Sequence, residues 1–380
     1  MCSSDLERDP YVVGIGLHPY QRRSDTSYVQ LGLTAVRAAL DDAGLSWPDV
    51  EVAYTGTAQL GMGSSRVMLS RLGATGIPMT QVENASASGS SAVAQACLDV
   101  ASGRTDVALA LGVDKPQPLS PAPGRAGIDN LESGTVVPFT HFALLASEYM
   151  TAHGLGDIDI ARVAMKNHRN GAANPFAQRQ KERTLEEILA DPISGSLTRL
   201  QCCPVGEGAA AVIVASGEGI DRLGLDRSRA VRVRASVTRT EGLYPPTVGI
   251  DAALTQETGR LLFDQAGIEP ADVDVLEVHD AFSVEELLYV EALGLCSPGE
   301  AASLVAAGAF DPGGRCAVSP SGGLLAMGHP IGPTGAGQVA EVTRQLRGEA
   351  GVRQQPDARI GVAHMVGVGA VCVMHVLTAP

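Results

Sequence analysis

Three side chains stand where they could act on a substrate. Ser86 lies in "VENASASGSSA" (residues 82–92), where an apolar strand runs into a Ser/Gly turn and then a small-residue helix. His279 ends a Val/Glu strand in "VLEVHDAF", and His329 sits in "MGHPIGPTGAG", ahead of a Gly/Pro-rich turn that opens a helix. An imidazole titrates near neutrality, so either histidine can take a hydroxyl proton or donate to an enolate oxygen. Each could also be a core histidine held by backbone bonds. Ser86 occupies a turn of the kind that displays a nucleophile, but a serine hydroxyl attacks only with a well-placed base. As a small residue it can instead simply shape a pocket.

The neighbouring polar residues have plainer readings. Asp280 follows His279 and either orients a ring or caps the next helix. Glu285 and Glu286 open that helix, where the macrodipole favours carboxylates, and this is the reading adopted for them. The glycines of "SGGLLAMGHPIGPTGAG" do not have the Gly-x-Gly-x-x-Gly spacing after a strand, so they are not a dinucleotide fingerprint. No cluster with metal-ligand spacing is visible.

The elements that must position these groups repeat. "ALDDAGLSWPDVEVAYTGTA" (residues 39–58) returns as "LFDQAGIEPADVDVLEVHDA" (residues 262–281), an offset of 223. In both copies an amphipathic helix ends at Ala-Gly, a turn with Asp follows, and an alternating Val/Asp/Glu strand begins. Two such halves predict two similar α/β lobes packed on each other. The expected division is 1–115 closed by 205–228 for the first half, 116–204 for an inserted segment matching neither half, and 229–380 for the second half. The 380 residues suffice for a large core. A net charge of −14 argues against a nucleic-acid partner. No apolar run reaches the roughly 18 residues of a membrane span. The seven cysteines lack Cys-x-x-Cys pairs or framework spacing, so a reducing cytoplasm is expected.

Taken in order, "VVGIGLHPY", "LGATGIPMTQVENASASGSSA", "LALGVDK", "KNHRNGAANPF", "LQCCPVGEGAAAVIVAS", "VLEVHDAFSVEELLYVEALGLC", "SPSGGLLAMGHPIGPTGAGQ" and "RQLRGEAGVRQ" resemble the thiolase superfamily, in its sterol-carrier-protein or lipid-transfer branch. The resemblance covers nearly the whole chain. It implies a five-layered αβαβα subunit of two related halves with an inserted loop domain, and a homodimer. It also implies acyl-CoA chemistry through a nucleophilic cysteine, a Gly-His-Pro histidine and a second, acid/base cysteine. Here Ser86 stands at the nucleophile position and Ala281 at the acid/base position in "HDAF". Met365 stands where other branches place that cysteine. No cysteine close by in sequence replaces either one.

By the same resemblance Ser321, Gly322, Gly328, Met365 and Gly367 line the substrate and its CoA. Lys166, His168, Arg169 and Arg179 either grip CoA phosphates or form a solvated helix face. A serine ester lies well below a thioester in energy, so reversible thiolysis fits poorly. Two imidazoles beside a CoA slot suit retro-aldol cleavage of a β-hydroxyacyl-CoA in lipid or steroid side-chain degradation, with coenzyme A as part of the substrate and no separate cofactor. Thiolase-like aldolases of this kind work with an OB-fold zinc partner that binds acyl-CoA and rely on tyrosines; Tyr289 is the nearest tyrosine here. The alternatives are an acyltransferase using Ser86 and a non-catalytic acyl-CoA-binding subunit.

Overall fold

Ten strands carry the repeat into three dimensions. The computed structural model describes residues 8–116, 138–244, 250–368 and 370–380. The strands of its main sheet are β1 (Pro10–Gln21), β2 (Val52–Gly56), β3 (Met79–Val82), β4 (Val107–Asp114) and β5 (Glu207–Ser216) in the first half. The second half has β6 (Val231–Thr240), β7 (Val275–Glu277), β8 (Ala317–Val318), β9 (Ile360–Gly367) and β10 (Val371–Thr378). They pair in the order β3-β2-β4-β5-β1-β6-β10-β9-β7-β8. From the middle outward both halves follow the same path, each strand of the second matching the strand five places earlier. Val52 and Val275 open β2 and β7, the equivalent strands. The halves meet antiparallel at their edges over only two residue pairs, Tyr11–Arg232 and Val12–Val231.

The central strands are apolar on both faces because both faces are covered. Leu109, Leu111, Ile213 and Ala215 face an outer core beneath helix Tyr28–Ala43, while Ala108, Ala110, Val212 and Val214 face an inner one. Helices Ser88–Ala101 and Thr334–Leu346 fill the layer between the halves, and helix Ile250–Ala266 covers the far side. The result is five layers, helix–sheet–helix–sheet–helix. The two inner helices touch backbone to backbone at their first turns. A Cβ on Gly89 would collide with the carbonyl of Gly332, and one on Gly335 with the Ser90 hydroxyl. This approach brings the turns that precede the two helices, one carrying Ser86 and the other His329, against each other.

The residues after 137 pack in a way their place in the chain does not suggest. Helix Asp157–Ala172 lies in sequence between two strands of the first half, yet it packs on helices Ser283–Ala292, Ala301–Ala306 and Gly323–Ala326 of the second. Ile160, Ala161, Val163 and Ala164 join that half's outer core.

Candidate active site

The Ser86 turn is tightly built. Ala85 adopts φ +48°, a left-handed conformation uncommon outside glycine. The Ser88 hydroxyl holds the turn from below, donating to Ala85 O at 2.6 Å and accepting from Asn84 N at 2.9 Å. The end of β9 closes it from behind. A Cβ at Gly367 would strike Asn84 O, and Met365 is fully buried against Ala87. A side chain at position 367 would therefore displace the turn that presents Ser86.

Ser86 Oγ lies 3.0 Å from His329 Nε2, and His329 Nδ1 lies 2.9 Å from Thr334 Oγ1. Thr334 donates its single hydroxyl proton to Pro330 O at 2.6 Å, so it accepts from Nδ1–H. That assigns the tautomer: Nε2 carries the lone pair and accepts from the Ser86 hydroxyl. Burial, and then the nearby His279, hold the His329 pKa well below its ordinary value. The ring is neutral at pH 7. A nucleophile, a base and a group orienting the base are thus in line, the arrangement that activates a hydroxyl.

His279 faces this pair. Its ring is perpendicular to that of His329 at 5.2 Å between centroids. Neither ring nitrogen has a hydrogen-bond partner among the described residues, although the side chain is only 9% exposed and Nδ1 lies 3.5 Å from Glu285 Oε1. A buried polar group left unpaired costs about 1–3 kcal/mol, so the ring is poised to meet a ligand atom. Glu285 is held by Phe282 N at 2.8 Å and Tyr289 OH at 3.0 Å. Behind them the His279 N–H points at His364 Nδ1, and burial lowers the His364 pKa to about 3.

The structure thus gathers Ser86, His279 and His329 together with Met365, Gly367 and Gly328. Ser321 and Gly322 face elsewhere. Ser321 donates from N and Oγ to Glu277, and Gly322 packs on the Gly171 backbone. Gly328, directly before His329, packs on Gln178.

Several plainer readings change. Asp280 caps neither a ring nor the next helix; it accepts from Leu324 N and Asn167 Nδ2, both at 2.7 Å. Glu285 and Glu286 do stand in the first turn of that helix, and Glu286 is in addition fully buried and pairs with Lys166 at 3.0 Å. The basic patch does not form. Lys166 and His168 are buried, Arg169 pairs with Asp311, and Arg179 donates to the carbonyls of Cys202 and Leu325. Lys166 and His168 lie on a helix packed against the second half and turn inward, whereas Arg169 stays exposed on the same helix and Arg179 lies beyond its end. Thr334 escaped the sequence reading because a threonine opening a helix reads as a cap. Its one available signal was its position, five residues after His329.

The family description "Thiolase, N-terminal domain" matches residues 12–185, and "Thiolase C-terminal domain-like" matches residues 249–378. The chain belongs to the thiolase superfamily. It is 37% identical over 399 residues to "Sterol carrier protein 2" of Gallus gallus, covering 97% of this chain and 71% of that one. It is 36% identical over 374 residues to "Benzoylsuccinyl-CoA thiolase subunit BbsB" of Thauera aromatica, covering 96% of each. The solved "Ltp2-ChsH2(DUF35) aldolase" superimposes with a TM-score of 0.86 at 27% identity, covering 98% of both chains. The fold and branch implied by the sequence motifs therefore hold. Among the described residues no helix is long and apolar enough to cross a membrane, and no group of three or more His, Cys, Asp and Glu residues could hold a metal ion.

Proposed function

We propose that the protein acts on an acyl-CoA thioester and breaks a carbon–carbon bond, by retro-aldol cleavage of a β-hydroxyacyl-CoA. One observation carries this reading: a neutral His329 accepts from Ser86 while a buried, unpartnered His279 stands across from it. The β-hydroxyl proton passes to Ser86 Oγ as Ser86 gives its own to His329 Nε2. The Cα–Cβ bond breaks, the β-carbon leaves as a carbonyl, and the electron pair moves onto the thioester as an enolate. A ring N–H of His279 donates to the enolate oxygen. Loss of one such donor costs about 3 kcal/mol, roughly a hundredfold in rate. The two histidines therefore divide the work, one on the proton and one on the oxyanion. Tyr289 supports Glu285 from behind the site. Gly328, Met365 and Gly367 border the substrate through the two turns; Ser321 and Gly322 keep only a role in shaping the wall.

The relatives' names support an assembly. The structural relative is an aldolase with a DUF35 companion, and BbsB is a subunit. We extend this to a homodimer that works with a partner of the DUF35 type on lipid or steroid side-chain thioesters. The Ser86–His329 hydrogen bond also favours a second reading, acyl transfer through Ser86. Incubation with β-hydroxyacyl-CoA thioesters, with and without the partner, separates the two. Retro-aldol cleavage yields a shortened acyl-CoA plus a ketone or aldehyde and no mass added to the peptide bearing Ser86. An acyl adduct on that peptide would replace the lyase reading. Tight thioester binding with no product under any of these conditions would leave only a binding subunit.

A further inference from the structure

The acid/base position of the family is Ala281 here, and the main chain of a neighbouring segment pairs a cysteine with it. Cys202 bridges antiparallel to Phe282, and the Cys203 N–H donates to Ala281 O at 2.8 Å. Residues opposite each other in an antiparallel pair project to one face, and their neighbours project to the other. Cys202 and Phe282 project to one side, where the Cys202 thiol donates to Thr198 O and Phe282 stacks on Phe142. Cys203 and Ala281 share the opposite face. One residue further on, Pro204 O accepts from the His329 N–H at 3.4 Å. Cys203 is therefore bracketed by main-chain bonds to the loop of Ala281 and to the turn of His329, and it is half-buried rather than sealed. Glu285, the carboxylate beside His279, is among the charges acting on its thiol. His279, two residues before Ala281, has neither ring nitrogen in a hydrogen bond among the described residues.

We infer that Cys203 exchanges the proton at the substrate's α-carbon, supplying from the neighbouring strand the thiol that position 281 lacks. The inference rests on the acyl-CoA carbon–carbon reading above. Burial, Glu285 and Asp280 all raise the Cys203 pKa, so the group is a thiol and a proton donor at neutral pH rather than a nucleophile. After the Cα–Cβ bond breaks, the enolate carbon takes the proton from Sγ–H and leaves a thiolate. The thiolate regains a proton from the His329 imidazolium through solvent. The base is then neutral again, and the proton lost by the β-hydroxyl is accounted for. Cys97, Cys316 and Cys372 are buried.

The test is deuterium uptake at the α-carbon of acetyl-CoA and propionyl-CoA in D2O, read by mass spectrometry beside thioester affinity and β-hydroxyacyl-CoA cleavage. Proton transfer by a positioned side chain contributes about 10²–10⁴-fold, so Cys203→Ala should lower exchange at least a hundredfold with affinity within threefold. Adding Ala281→Cys to Cys203→Ala should restore much of the exchange, because it returns a thiol to the same face. A merely structural cysteine would not be rescued in this way. Cys203→Ser, which keeps volume and fold, should also be slow. Wild-type exchange that survives within twofold in both Cys203 variants overturns the inference and leaves the lyase reading standing. A wild-type protein that binds the thioesters but neither exchanges nor cleaves them, with its partner present, overturns both.

Discussion

Thr334→Val tests the proton relay with the least change of shape. Valine has the volume of threonine but neither accepts from His329 Nδ1–H nor donates to Pro330 O, bonds of 2.9 and 2.6 Å in the native protein. With Nδ1–H left buried and unpaired, the ring faces a penalty of about 1–3 kcal/mol. It can escape by moving the proton to Nε2, and that nitrogen then no longer accepts from Ser86. At 1.36 kcal/mol per factor of ten, the productive tautomer becomes rarer by about 5- to 150-fold. The loss should fall on kcat, since Thr334 is 3% exposed and lies behind the ring rather than against substrate. Steady-state cleavage of a β-hydroxyacyl-CoA would measure it, with thioester affinity followed separately. Thr334→Ser keeps the hydroxyl and should retain most of the rate. Loss of the Pro330 bond should lower stability by about 1 kcal/mol, visible as a small fall in Tm. Turnover by Thr334→Val within twofold of wild type would refute the claim that this hydroxyl selects the tautomer.

Ser86→Ala should lower cleavage by a hundredfold or more while leaving thioester affinity nearly unchanged, as equilibrium binding would show; equal losses in both would make Ser86 a packing residue. Lys166→Ala should cost about 3–5 kcal/mol in denaturant unfolding, because it leaves Glu286 charged and buried beside Asp280. It should not lower the salt sensitivity of CoA binding, as loss of a phosphate-gripping lysine would. Burial and the neighbouring Glu341 raise the Glu277 pKa to about 8. A group whose folded pKa lies above its unfolded value adds stability that is complete below about pH 4.5 and is lost as pH climbs toward 8. Glu277→Gln should therefore flatten the fall of Tm between pH 5 and 8, and an unchanged slope would place Glu277 in its charged form.

The duplicated plan was legible because it is written in local patterns. Helix, Ala-Gly stop and alternating strand recur at a fixed offset, and hydrophobic periodicity alone marks which faces are buried. Ser86, His279 and His329 were legible as candidates too, because each falls on a motif position that the family resemblance assigns to the site. Their relation was not. The 3.0 Å contact joins residues 243 positions apart. It exists because glycines let two inner helices meet without side chains between them. The fate of Lys166 was hidden for the same reason: a charged helix reads as solvated until another element covers it, and nothing local showed that Glu286 would be its buried partner. Cys203 lies 78 residues before Ala281, and only strand pairing makes them neighbours. Sequence by itself determined the repeat, the two α/β lobes and the types of reactive group, because those follow from short-range pattern, while the five layers were what the family resemblance implied. Which nitrogen is the base, which carboxylates are buried and where a thiol re-enters the site were decided by tertiary packing, because each depends on a partner that is distant along the chain.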